Sequence, residues 1–151
     1  MDHFARFVAN AYASVDVSTG VASASPHQLI LMLYDAALKH MDNAYAHMAA
    51  GRIAEKGAAV TKAIRIVDEG LRVTLDLSQG ELAQNLKSLY DYINSSLLKA
   101  NLRNDAALLA ETRALLAGMR DTWAAIGPVA SVTAAPLRMP ASLSNLGAAA
   151  A

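Results

Sequence analysis

The sequence predicts an all-α protein: an antiparallel up-down four-helix bundle, with a short N-terminal capping helix before it and a disordered C-terminal tail after it. Three observations predict this. Apolar residues recur at spacings of three, four and seven, and over no useful length do they alternate as in a half-buried strand. Four such runs are fenced by caps and glycines. The four are also matched in length, each spanning roughly 33–38 Å, and short loops between matched helices make antiparallel neighbours.

The first long helix opens at Ser25, with Pro26 in its first helical position and Gln28 two places on, the pattern of a capping box. A serine cap is worth ~1 kcal/mol. The helix runs to Ala50, where Gly51 ends it. Its opening, SASPHQLILMLYDAAL, is apolar nearly all the way round, which suits a central helix or one that keeps a face for another chain. The second helix runs from Ile53 to Leu77, with a stripe of Ile53, Val60, Ile64, Val67 and Leu71, and closes at Ser78-Gln79-Gly80. The third runs from Glu81 to Leu102 on Leu82, Leu86, Leu89, Ile93 and Leu97, and closes at Arg103-Asn104. Asp105 caps the fourth, which carries Leu108, Leu115, Met119 and Ile126 before Gly127-Pro128 stops it.

Residues 1–127 thus form one bundle domain. Its first 24 residues are a lid segment in which Phe4, Phe7, Val8 and Tyr12 make a small amphipathic stripe. Residues 128–151 hold Pro128, Pro136 and Pro140, a single charge at Arg138 and a closing alanine run, a composition expected to stay flexible.

Thirteen basic residues balance thirteen acidic ones, so the chain lacks the basic field that nucleic acid requires. It has no cysteine for a disulfide or a thiolate metal site. The 54% hydrophobic content is inflated by 33 alanines. No window is long enough to insert in a membrane, and the N-terminus lacks a secretory leader pattern, so a soluble, cytoplasmic protein is expected.

No enzyme chemistry is legible. Glu55, Glu69, Glu81 and Glu111 are followed three places on by Ala58, Arg72, Gln84 and Ala114, so no Glu-x-x-His pair exists for a di-iron site. There is no phosphate loop and no nucleophile motif. Asp35, Asp68, Glu69, Asp91 and Asp121 read as solvated faces and i,i+4 partners. His40 and His47 lie seven apart on one helix face, which leaves a cofactor- or metal-binding bundle as the alternative; two histidines at the solvent edge are the plainer reading.

Several helices carry a second apolar stripe. The first has Ile30, Tyr34, Met41, Tyr45 and Met48 beside Leu29, Leu33 and Ala36. The second adds Ile66, Val73 and Leu77, the third Tyr90 and Leu98, and the fourth Leu109, Leu116 and Trp123. Apolar surface left over after a bundle closes marks a partner site, or a homodimer that buries the excess.

Tyr12, Val17, the run Ser23 to Ile30, and Met32-Leu33-Tyr34-Asp35 resemble the N-terminal signature of the flagellin export chaperones, the FliS family. Lys62-Ala63-Ile64, Ile66-Val67, Gly80 to Leu86, Leu89 to Ile93 and Leu97 to Asn101 resemble its later helices, with Asp105 and Trp123 in the corresponding places. Ala36 stands where the pattern has glycine, and Gln79-Gly80 where it has two. The resemblance implies a cytoplasmic, non-enzymatic chaperone without cofactor or metal. Such a chaperone binds the disordered C-terminal segment of flagellin in apolar grooves, prevents premature polymerisation, and delivers the subunit to the export gate of the flagellar type III secretion apparatus. The flagellin-facing residues are expected on the second to fourth helices, whose second stripes lie side by side in an antiparallel bundle: Ile66, Val73, Leu77, Leu86, Tyr90, Leu98, Leu109 and Leu116. Phe4, Phe7, Val8 and Tyr12 are expected to form the lid, with Tyr12 also facing the export gate.

Overall fold

A computed structural model of the chain describes residues 3–13, 24–75 and 80–126. It contains α1 (His3–Ala13), α2 (Pro26–Ala49), α3 (Ile53–Arg65), α4 (Glu81–Arg103) and α5 (Ala106–Ile126), and no strand among the described residues. The four long helices form a ring in which α2 and α4 each pack against both α3 and α5. The short α1 lies outside that ring, on α2.

The capping box at the start of α2 forms as the sequence predicts. The Gln28 amide donates to Ser25 Oγ at 3.1 Å, and the Ser25 amide donates to Gln28 Oε1 at 2.8 Å. The helix is apolar all round because it is surrounded: α1, α3 and α5 all pack on it. Leu29 and Ile30, Leu33 and Tyr34, Ala36 to Leu38, and His40 and Met41 are all buried, so successive side chains point to different neighbours.

The loops that reverse the chain repeat one device. After α2, Gly51 takes a left-handed φ of 73° and the Arg52 amide donates back to the His47 carbonyl at 2.9 Å. After α4, Asn104 takes φ 53° and the Asp105 amide donates back to Ala100 at 2.9 Å. Both are six-to-one closures that satisfy orphan carbonyls at a helix end. Asp105 Oδ1 then accepts the Leu108 amide at 3.0 Å and caps α5.

Charge pairs fix how α5 lies along α2. Arg120 Nε donates to Asp35 at 2.8 Å, while Arg113 holds both carboxylate oxygens of Asp42 at 2.7 and 3.2 Å. Seven residues forward on α2 match seven back on α5, which is the antiparallel register. Half-exposed pairs of this kind contribute only ~0.2–1 kcal/mol each, so their main effect is to choose among registers.

Three expectations need correction. The second long helix does not continue as an α-helix to Leu77. It is α-helical to Arg65, then makes a π-helical turn over Ile66–Leu71 and a 3-10 turn over Arg72–Thr74. The wider turn spaces buried residues as Ile66, Val67, Gly70 and Leu71, a pattern that an α-helical reading takes for two separate stripes. In the fourth helix the faces are exchanged. Leu109, Thr112, Leu116 and Trp123 are buried, whereas Leu108, Leu115, Met119 and Ile126 are only partly so. Finally, Ile53 stands 75% exposed at the start of α3 instead of joining the core.

Candidate functional site

Of the eight residues expected to face flagellin, five are core in this structure: Ile66, Leu86, Tyr90, Leu109 and Leu116 are all buried. Leu109 and Leu116 point into the ring because α5 is turned one residue from the expected face, and the π turn rotates Ile66 inward. Val73 and Leu98 are exposed, at 61% and 52%. Leu77 lies outside the described residues, as do residues 14–23 of the connection and the 128–151 tail.

The first apolar surface is the seat of α1. Val8 is fully buried, and Phe4, Phe7 and Tyr12 pack half-buried against the core cluster. The seat is shaped by Gly70. A Cβ at that position would stand 2.7 Å from Phe7 Cε2, closer than real side chains approach, and a tight 3.1 Å from Leu33 Cδ1. The glycine therefore makes the hollow that Phe7 fills. Beside it a cleft of about 290 Å³ is lined by Phe7, Asn10, Ala11, His40, Lys62 and Ile66. Ile66 thus sits under the edge of α1. At the far end of α1, burial raises the Tyr12 hydroxyl pKa, with the nearby Asp35 carboxylate adding to the rise and Arg120 opposing it. Tyr12 therefore reaches toward the ion pair that ties α2 to α5.

The second surface is a groove of about 300 Å³ between α4 and α5, walled by Leu86, Leu89, Leu115, Met119 and Trp123 with Tyr34 beneath. Its framework is tied by buried hydrogen bonds. Tyr34 and Tyr90 share a buried hydroxyl–hydroxyl hydrogen bond of 2.6 Å. Burial pushes the Tyr34 pKa up to about 12 and raises that of Tyr90 well above its ordinary value, so both stay neutral. Trp123 and His27 clasp reciprocally. The indole Nε1–H donates to the His27 carbonyl at 3.0 Å, and the imidazole Nε2–H donates to the Trp123 carbonyl at 2.9 Å. Their rings stack with centroids 4.9 Å apart.

A third region lies at the opposite end of the bundle. Ile53 and Leu102, 75% and 77% exposed, flank a cleft of about 550 Å³. At its base the buried Lys56 ammonium donates to the Asn101 carbonyl and to Asn104 Oδ1, both at 3.0 Å. A cation there also suits the negative end of the α4 dipole.

The sequence missed the His27–Trp123 clasp and the buried Lys56. Both join residues far apart in the chain, and no periodic signal marks such a pairing. The two histidines singled out do not share the solvent edge. His40 is buried, which lowers its pKa together with the Lys62 charge, while His47 Nδ1 accepts the Arg52 Nε–H at 3.0 Å. No three potential metal ligands cluster among the described residues. Nor is any helix among them long and apolar enough to cross a membrane.

The α1 seat and the α4–α5 groove are apolar and walled by helices. Comparison with known proteins agrees with that character. Residues 8–130 match the family described as flagellar protein FliS. The chain is 48% identical over 122 residues to the flagellar secretion chaperone FliS of Salmonella typhimurium, covering 80% of this chain and 90% of that one. To the flagellar secretion chaperone FliS of Escherichia coli K12 it is 44% identical over 114 residues, 75% and 84% of the two chains. To that of Bacillus subtilis it is 34% identical over 103 residues, 68% and 76% of the two.

Proposed function

Because the chain belongs to the flagellar protein FliS family, we propose that it is a flagellar secretion chaperone whose cargo is the disordered C-terminal segment of flagellin. The segment binds as helices laid in apolar grooves, which keeps the subunit from polymerising, and the complex is handed to the export gate. Neither catalysis nor a cofactor takes part.

The observation that carries this reading is the seat of α1. Four long helices already close the core, yet a fifth, short and amphipathic, fills an apolar hollow on the outside at Gly70 and Leu33. A surface that accepts one amphipathic helix of the chain itself accepts another of similar pattern from a partner. In this account α1 is a lid. It covers the seat in the free protein and yields to flagellin, which exposes Ile66. Val73 and Leu98 on the outer face, and Leu86 in the α4–α5 groove, extend the contact. A long contact is needed, since ordering a disordered segment costs roughly 2–5 kcal/mol. Tyr12, at the end of the lid, is then freed to contact the export gate.

The test is a binding titration with purified flagellin, with flagellin lacking its C-terminal segment, and with this chain lacking residues 1–14. The account expects binding only to intact flagellin, tightened by removing the lid, because a closed lid lowers apparent affinity by the fraction of time it is open. Equal binding to both flagellins would refute the cargo assignment. Weaker binding after the deletion would make α1 part of the site instead of its cover.

A further inference from the structure

We propose that the groove between α4 and α5 is a docking site for the chain's own C-terminal segment, through Met139, Leu143 and Leu146. The groove stands apart from the α1 seat, since no residue lines both. Its walls are aliphatic and aromatic, and on α5 the small residues Ala114 and Gly118 recur four apart along it. A Cβ added at Gly118 would meet nothing within 4 Å, so a side chain from outside can lie against that backbone.

Three observations name the occupant. The described part of α5 ends at Ile126, three residues past Trp123, which forms one wall of the groove. The chain then continues for 25 more residues, from 127 to 151. Within them Met139, Leu143 and Leu146 are spaced four and three apart, so a helical turn puts all three on one side. In the sequence Pro140 is a helix start signal with Met139 in the capping place and Gly147 is a stop signal, and in such a turn Ser144 and Asn145 fall on the side away from Leu143 and Leu146.

The geometry allows a return. From Trp123 to Ala114 the groove covers nine residues of α5, about 14 Å at helical rise. The twelve residues 127–138 reach at most about 40 Å when extended, so the segment can turn back antiparallel to α5. A flexible tether of this size gives an effective concentration on the order of millimolar, so even a segment of millimolar intrinsic affinity fills the groove about half the time. The family match ends at residue 130, so the device belongs to this chain's own extension.

The chain supplies its own optical pair. It has one tryptophan, Trp123 in the groove wall, and no cysteine. A single Asn145→Cys substitution in the full-length protein therefore carries a nitroxide quencher on the polar side of the segment. We expect Trp123 fluorescence to fall by about half relative to the chemically reduced label, as a half-filled groove requires. Replacing Met139, Leu143 and Leu146 together by Asp, with the same label and tether, should restore it. Equal quenching in the Asp variant would overturn the proposal, because it would show encounters set by the tether alone.

Docking of the tail does not depend on the proposed cargo, but competition with flagellin does, and the same label separates the two. Relief of quenching by intact flagellin shows both in one groove. Quenching that Asp substitution abolishes but flagellin leaves unchanged keeps the tail in the groove and removes that groove from the flagellin surface.

Discussion

Tyr34 and Tyr90 show how polar atoms are kept inside the apolar ring. Each hydroxyl is buried and each has the other as its partner at 2.6 Å. Removing one leaves the other buried without its mate, which costs ~1–3 kcal/mol, whereas removing both is close to neutral. Tyr34→Phe should therefore lower unfolding free energy by more than the Tyr34→Phe/Tyr90→Phe double variant does, as chemical denaturation would measure. If the double variant instead loses the sum of the two single losses, the pair is not coupled. At this scale the sequence was partly legible. Ser25, Pro26 and Gln28 announce their capping box because all its partners lie within four residues. Tyr34 with Tyr90, and His27 with Trp123, stayed illegible because their partners are 56 and 96 residues apart.

At the scale of elements, periodicity located four helices but did not say which way each one faces. The bounds of α2, α4 and α5 lie within a residue or two of those expected from caps and glycines. On α5, however, Leu108 and Leu115 parallel Leu109 and Leu116 with the same spacing of seven, so pattern alone makes them equivalent. The choice is made by tertiary contacts: the Asp35–Arg120 and Asp42–Arg113 pairs and the Trp123 clasp turn Leu109 and Leu116 inward. The contrast is measurable. Leu116→Ala, at a fully buried site, should cost ~2–5 kcal/mol, while Leu115→Ala on the groove wall should cost well under half of that. Equal losses would mean that the two leucines share the core. The end of α3 was misread for a different reason. A π turn changes the number of residues per turn, and a stripe analysis with a fixed helical period has no way to register it.

At the scale of the whole molecule, the bundle is a closed core with apolar surface still outside it. The ring of α2 to α5 buries its own stripes, and α1 covers a hollow that this ring leaves open. Much of this plan was legible: four long helices, an amphipathic N-terminal segment and an excess of apolar positions. The identity of the surplus was not, since five of the eight residues assigned to it fell in the core. A hydrophobic stripe reports that a residue is to be covered, and whether its own chain or a partner covers it depends on packing. The central claim is that α1 occupies the place of a flagellin helix. The measurement that tests it most directly is hydrogen exchange of the amides of residues 3–13, with and without intact flagellin. The account predicts that these amides are protected in the free protein, exchange faster as flagellin saturates the chaperone, and are already fast in Gly70→Ala, whose methyl group takes the space of Phe7. Protection of residues 3–13 that stays unchanged or deepens at saturating flagellin would contradict it.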